Sequence, residues 1–434
     1  MHRTEGADDV PPTPVGGPGQ APPEKSPTSG LLSSTASMVG FRIVSAAATG
    51  VVGVITARRL EPAGRGVLVL VVAMASIGLL FSSLGVNISG RVHLVKAVDP
   101  VPSRDYIGLS ATLTLVQLLM CVALGLTLLP AVDVRLSAPE LGLFGLLGAA
   151  MLSQYLLNDA LNAFGFNTLA TKVEAAGGVF QLVLVLVLAA SGERRVMPFV
   201  AILVVTSAFQ AVVCLAMLRR GGIAIRPRFD ARSWRLLLRT GLPGIPAALG
   251  QVLTFRADRY LLGLFMNPAA VGIYAVAATA PELLRLPSLA LSQPMMYRLA
   301  SGSAKLTDFR RIRWLCVIGT MAAAAIVFAM APLAVRVVFG ADYEAAVTPL
   351  RLLLLGEAGI AFFYLDGSAL AGINRIRDTA LASVAGLVVV GMLDLVLIPS
   401  FQLAGAAWAS VVAYSVMGAV AAGLLRRAHR AASP

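Results

Sequence analysis

The sequence predicts an all-α polytopic membrane protein of twelve transmembrane helices grouped as two six-helix lobes. Three observations carry that reading. The 434-residue chain is 57% hydrophobic, with a mean hydropathy of +0.82. Only 13% of its residues are charged, against ~25% in an average soluble protein. The apolar residues also gather into runs of roughly 20 or more, the length that crosses a hydrocarbon core about 30 Å thick.

The runs fall at 33–57, 66–90, 106–130, 139–164, 168–190, 196–218, 238–264, 269–297, 314–338, 345–372, 378–398 and 401–425. Residues 1–30 precede them and are rich in Pro, Gly, Ser and Thr, a composition that cannot bury a core and predicts a disordered tail. No basic start followed by an apolar core marks a signal peptide there. Two short repeats divide the rest. Asp159–Asn167 and Asp366–Asn374 both read D-x5-G-x-N, 207 residues apart. Pro62–Gly66 and Pro268–Gly272 both read P-A-x-x-G, 206 residues apart. The shared offset predicts two halves of one topology, 31–225 and 226–434.

Basic residues set the expected orientation. Of 35 Lys and Arg, 23 fall toward one side of the twelve-span layout and 9 toward the other, span ends included, while Arg42, Arg285 and Arg351 lie well inside spans and count for neither. The positive-inside rule then places both termini in the cytoplasm of a plasma-membrane protein. The net charge of +13 lies mostly in short loops, so it does not imply nucleic acid. The basic stretch Arg219–Arg239, with Trp234, reads either as a topology signal or as an amphipathic segment on anionic lipid. Cys121, Cys214 and Cys316 all lie in spans, which excludes a disulfide framework. His2, His93 and His429 are scattered, and no metal or cofactor is expected. No catalytic set appears, and no outer loop is large enough to house one.

Charges inside the spans are the candidate site, because a charge at membrane depth costs about 2.5–3.5 kcal/mol on insertion scales. The stretch from Gly241 to Ala300 holds most of them. Its first span opens on Pro243 and Pro246 and should enter the membrane bent. Arg256, Asp258 and Arg259 could take a phosphate, orient it or exchange a cation, or could form an ion pair that anchors the helix end. Glu282 and Arg285 are three apart on one face and should partly neutralise each other. Arg42 has no acid within a turn and needs either a partner from another helix or an anionic ligand. Arg351 and Glu357, six apart, lie on different faces, and either could line the interior. Asp159, Glu174, Asp366 and Asp394 are further acids in or near span ends. The repeat argues for a structural cap or turn at Asp159 and Asp366, with ion coupling as the other reading. Asp394 is expected near the outer surface, in reach of water.

Five pieces in order carry a family resemblance: A-R-R-L-E-P-A-G-R-G, G-L-P-G-I-P, D-R-Y-L-L-G with V-G-I-Y-A-V-A, F-G-A-D-Y-E-A-A with L-R-L-L-L-L-G, and L-A-G-I-N-R with L-I-P-S-F-Q-L-A-G-A-A-W-A-S. With them the chain resembles the Wzx-type polysaccharide (O-antigen) repeat-unit flippases of the multidrug/oligosaccharidyl-lipid/polysaccharide exporter superfamily, from residue 33 to about 425. The resemblance implies two lobes around a central cavity, and transport of an undecaprenyl-diphosphate-linked oligosaccharide to the outer leaflet by alternating access, coupled to an ion. It implies cationic cavity residues, for which Arg42, Arg256, Arg259, Arg285 and Arg351 are the candidates. Ion coupling would fall to Asp258, Glu282, Glu357, Asp159 or Asp366. Only Asp258-Arg259 matches a family motif. A monomer in contact with membrane lipids, and with a polysaccharide polymerase or glycosyltransferases, is the expected setting. A multidrug cation antiporter or a lipid II-type flippase is the alternative. A major-facilitator transporter is disfavoured because G-x-x-x-D-R is missing between spans two and three.

Overall fold

A computed structural model of the chain describes residues 27–94, 100–300 and 306–432. The expected disordered tail lies outside them, except that 27–30 already belong to the first helix. Among the described residues the fold is all-α, without strands. In the first half, α1 (Pro27–Ser83) and α2 (Val86–His93) are followed by α3 (Ser103–Thr127), α4 (Ala138–Ala163), α5 (Asn167–Ala190) and α6 (Val196–Arg220). A short α7 (Ala231–Gly241) leads into α8 (Ile245–Phe265), α9 (Pro268–Leu284) and α10 (Leu286–Ala300). Then come α11 (Leu306–Val338), α12 (Val347–Gly372) and α13 (Ile376–Ala432).

Among the described residues, eight helices are long and apolar enough to cross a membrane, or ten if two bent pairs each count as one. Helices α1 and α13 are 57 residues each, roughly 85 Å if straight. Neither is straight. α1 breaks at Glu61 (φ 59°, ψ 173°) just before Pro62, and α13 at Gln402 (φ 53°, ψ −129°) shortly after Pro399. A left-handed non-glycine residue leaves the helical hydrogen-bond ladder, and proline cannot donate to it. The breaks divide each of α1 and α13 into two helical segments.

The bend expected where the seventh span begins is a 3-10 turn at Leu242–Gly244, with 63° between the axes on either side. The eighth expected span, 269–297, is not continuous. It breaks at Arg285 by 43° into α9 and α10, between Pro281 and Pro287.

α4 lies against α3 and α6, and α12 against α11, α10 and α13. Helix α7, which the sequence assigns to the second half, packs on α2 and α3 of the first. Its Leu237 is fully buried there, and Trp234 donates to the Asp105 carbonyl at 3.1 Å. Ser233 donates to the Asp105 carboxylate at 2.8 Å and also to Asp230, the N-cap. Those bonds hold the Asp230 carboxyl below its ordinary range. The long exposed apolar residues of α3, α5, α6, α11 and α13, such as Leu119, Val187, Val212, Ile318 and Val396, form the face offered to lipid.

The halves meet chiefly where α1 packs on α9, at the end of the bundle away from the basic loops. There the two P-A-x-x-G repeats lie against each other. A Cβ added at Gly66 would fall 1.6 Å from the Pro268 carbonyl oxygen, and one at Gly272 would fall 2.0 Å from that of Pro62. Only glycine lets two backbones approach this closely. Alongside, Arg58 Nε donates to the Val338 carbonyl at 2.7 Å and Tyr343 Oη to the Ala57 carbonyl at 2.9 Å. The halves are closed on each other at this end.

Gly66→Ala should therefore force the halves apart, at the ~1–3 kcal/mol that overpacking costs. In a Val271→Cys background, where position 271 is fully buried, a membrane-impermeant maleimide should label several-fold faster. Unchanged labelling would show that the seam does not depend on this contact.

Candidate functional site

Below the glycine seam lies a cluster of charged side chains from four helices. Helix α8 places Arg256, Asp258 and Arg259 on its last turns, α9 supplies Glu282, and Arg285 sits at the α9–α10 break. Glu357 comes from α12. From the first half comes Arg65 of α1, within electrostatic reach of Arg259 and Glu282. Arg65 Nη1 donates to Thr56 Oγ1 at 2.7 Å. Four guanidinium groups thus face three carboxylates at the meeting of the halves.

The pairing inside the cluster differs from the expected one. Glu282 and Arg285 lie within electrostatic reach of each other, as expected, but each takes its ion-pair partner from elsewhere. Arg285 instead donates to Glu357, Nη2 to Oε1 at 3.0 Å and Nε to Oε1 at 3.1 Å. Its guanidinium lies over the Phe255 and Tyr414 rings, 5.1 and 4.9 Å from their centres. Glu357 is 1% exposed, so this pair is a closed clasp inside the second half. Arg259 pairs with Glu282, whose side chain is 50% exposed. That pair is open on one side, and Arg256 is half-buried beside it.

A second feature lies deeper in the second half. Asp258 is 3% exposed and Asp394 fully buried, and their charges interact. Asp258 has Tyr274 as a side-chain partner and accepts from the Arg259 backbone N–H at 2.7 Å. Neither carboxylate oxygen of Asp394 has a hydrogen-bond partner among the described residues. Tyr274 and Ser410 close the site, 3.4 Å apart. The expectation that Asp394 stands near water is overturned, because α13 turns it into the core against α8. Among the described residues no group of three or more metal-type ligands occurs.

The remaining candidates lie elsewhere. Arg42 is half-buried in the first half and within electrostatic reach of Glu174, which accepts from Asn158 at 2.6 Å. Asp159 is paired with Arg91 of α2. Arg91 is itself half-exposed and faces Tyr297 of α10 across the halves. Asp366 is clasped by Arg313 of α11, with Nη1 at 2.9 and 3.0 Å from the two carboxylate oxygens. Arg351 stands apart from both groups. It lies over the Phe328 ring at 5.0 Å and donates to the Phe328 carbonyl at 3.2 Å, on the seam between α12 and α11.

Sequence reasoning missed Arg65 and Arg91, which it placed in loops, and the partnership of Arg313 with Asp366. Arg65 carried one signal, its place inside the P-A-x-x-G repeat. Arg91 and Arg313 carried none, since their partners are 68 and 53 residues away.

The closed clasp makes a direct test. Glu357→Gln leaves a buried guanidinium uncompensated and should cost about 3–5 kcal/mol, read as a lower Tm of the purified protein. Replacing both partners, Arg285→Met with Glu357→Leu, should recover most of that loss. A double variant no more stable than Glu357→Gln would show that Arg285 answers to another group.

Comparison with known proteins places this geometry. The family described as polysaccharide biosynthesis protein matches residues 31–297. A search of curated sequences finds no match. Among solved structures, the chain is similar to a lipid II flippase MurJ in an inward closed conformation, with TM-score 0.72 and 10% identity over 91% of this chain and 87% of that one. It is also similar to a multidrug resistance MATE family transporter of the MOP superfamily in an inward-facing conformation, with TM-score 0.69 and 15% identity over 89% and 95%. A MOP superfamily transporter from Pyrococcus furiosus, with a binding pocket of reversed polarity, gives TM-score 0.60 and 16% identity over 92% and 95%. With more than half its length matched and a fold shared with MOP transporters, the chain belongs to the polysaccharide biosynthesis protein family of membrane proteins.

Proposed function

We propose that the protein is a flippase that carries an undecaprenyl-diphosphate-linked oligosaccharide from the cytoplasmic to the outer leaflet by alternating access. The observation that carries this reading is the charged cluster where the halves meet, in which Arg65, Arg256 and the open Arg259–Glu282 pair present more positive than negative charge. A diphosphate cannot enter hydrocarbon with its charge unanswered, and guanidinium groups replace its hydration with bidentate hydrogen bonds. Arg91, on the first half and near the basic end, is placed to meet the headgroup as it enters. Arg42 is the further cation on that side. The lipid tail stays in the bilayer between the halves.

The cycle is coupled to a cation through Asp258 and Asp394. Two buried carboxylates near each other cannot both stay ionised without a counter-charge. Binding of a proton or a small monovalent cation supplies it, and release returns the repulsion. The positive-inside rule supports cytoplasmic termini and a plasma-membrane location. A monomer supplied by glycosyltransferases and feeding a polymerase completes the reading. A multidrug cation exporter fits less well, because an organic cation would be repelled by unpaired arginines. A lipid II-type flippase shares the diphosphate chemistry and differs in the sugar.

The test is export in cells that depend on this chain for surface polysaccharide. Arg256→Ala with Arg259→Ala removes charge-assisted contacts of about 1.5–3 kcal/mol each. Surface polysaccharide should fall by roughly tenfold or more and the lipid-linked oligosaccharide should accumulate inside. Arg194→Ala, at an exposed loop, should export normally. Full export by the double variant, at equal amounts of protein in the membrane, would exclude the cluster as the substrate site. Asp394→Asn should export slowly and lose its sensitivity to collapse of the ion gradient. Undiminished gradient dependence would exclude the coupling role.

A further inference from the structure

A cavity of about 360 Å³ opens at the basic end of the second half, between the start of α11 and the end of α13. It plays no part in the cluster between the halves. Its walls carry Arg310 and Arg313 from α11 and Arg426 and Arg430 from α13, with Phe309 and Leu425 as an apolar floor. One wall is fixed in place. Arg313 is locked to Asp366 on one side and lies between the Trp314 and Phe362 rings, 5.6 and 5.3 Å from their centres. Asp366 is thereby already answered by Arg313, and Arg426 also lies within its electrostatic reach. Arg310, Arg426 and Arg430 remain exposed, and none is in an ion pair with another described residue.

The surroundings say what kind of molecule fits. Directly beside the cavity, Trp314, Leu315 and Ile318 are exposed and begin the lipid-facing wall of α11. A tryptophan at the junction of an arginine cluster and an apolar face marks the level of lipid headgroups. Basic pockets between helices at such a level hold anionic headgroups, whose phosphate meets the guanidinium groups while the acyl chains run down the apolar wall. A soluble anion would use only the arginines and leave the apolar floor and Trp314 unemployed.

We propose that this cavity is a binding site for the headgroup of an anionic phospholipid, held by Arg310, Arg426 and Arg430 against the fixed Arg313–Trp314 wall. The proposal is independent of transport. The lipid is a resident of the leaflet on the basic side, and it bridges α11 to α13 on the outside of the second half.

The full chain, reconstituted in nanodiscs of phosphatidylcholine with a minority of phosphatidylglycerol and then released for native mass spectrometry, tests this. The wild-type chain should retain phosphatidylglycerol in preference to phosphatidylcholine. Arg310→Gln with Arg426→Gln and Arg430→Gln should lose that preference, by roughly fivefold for each arginine removed. Thermal unfolding of both proteins in phosphatidylcholine alone checks that the variant is folded. A control that removes equal charge elsewhere, Arg135→Gln with Arg194→Gln and Arg195→Gln, all exposed, should keep the lipid. Equal loss in the control would overturn the site in favour of diffuse charge. Displacement of the lipid by millimolar inorganic pyrophosphate would overturn it in favour of a soluble anion. Retention by the triple variant would overturn it outright. If the wild-type chain retains neither lipid preferentially, the proposal is also wrong.

Discussion

A charge held at membrane depth must be answered, and that constraint orders this molecule. The spans carry several arginines and acids, and the structure sorts them by how completely each is answered. Arg285 with Glu357 and Arg313 with Asp366 are closed pairs, buried and stacked on aromatic rings. They cost too much to open, so each behaves as part of the scaffold of the second half. Arg259 with Glu282 and Arg91 with Asp159 are pairs with one exposed partner. Asp394 is unanswered among the described residues. The graded series separates structural charges from those able to do work.

The second constraint is close backbone approach. Gly66 and Gly272 occupy matching positions of the two repeats, and each admits the other half's proline carbonyl where any side chain would collide. Two side-chain bonds across the halves flank this contact, Arg58 to the Val338 carbonyl and Tyr343 to the Ala57 carbonyl. The charged cluster lies just beneath the seam. The basic cavity on the outside of the second half lies apart from both, between α11 and α13.

Pairing also explains why the same acids read differently in isolation and in the fold. Asp159 and Asp366 stand at matching positions of the D-x5-G-x-N repeat, and both end in an arginine pair. The arginines, however, come from unrelated places, α2 in one half and α11 in the other. The repeat preserves the need for a counter-charge and leaves its source free.

The sequence by itself determined the membrane class, the all-α fold and the positions of the charged residues along the spans. Those properties rest on local composition and on run length against bilayer thickness, both of which are read along one dimension. Only the tertiary structure decided which charge meets which. Glu282 and Arg285 are neighbours in sequence and within electrostatic reach, yet Glu282 pairs with Arg259, and Arg285 and Glu357 are brought together across 72 residues. Asp394 was legible as an acid near a span end, but not as one buried against Asp258. Helix α7 was legible as amphipathic, but not as a part of the first half. In each case the deciding quantity is the partner's position in space, which helix packing sets and residue spacing does not encode.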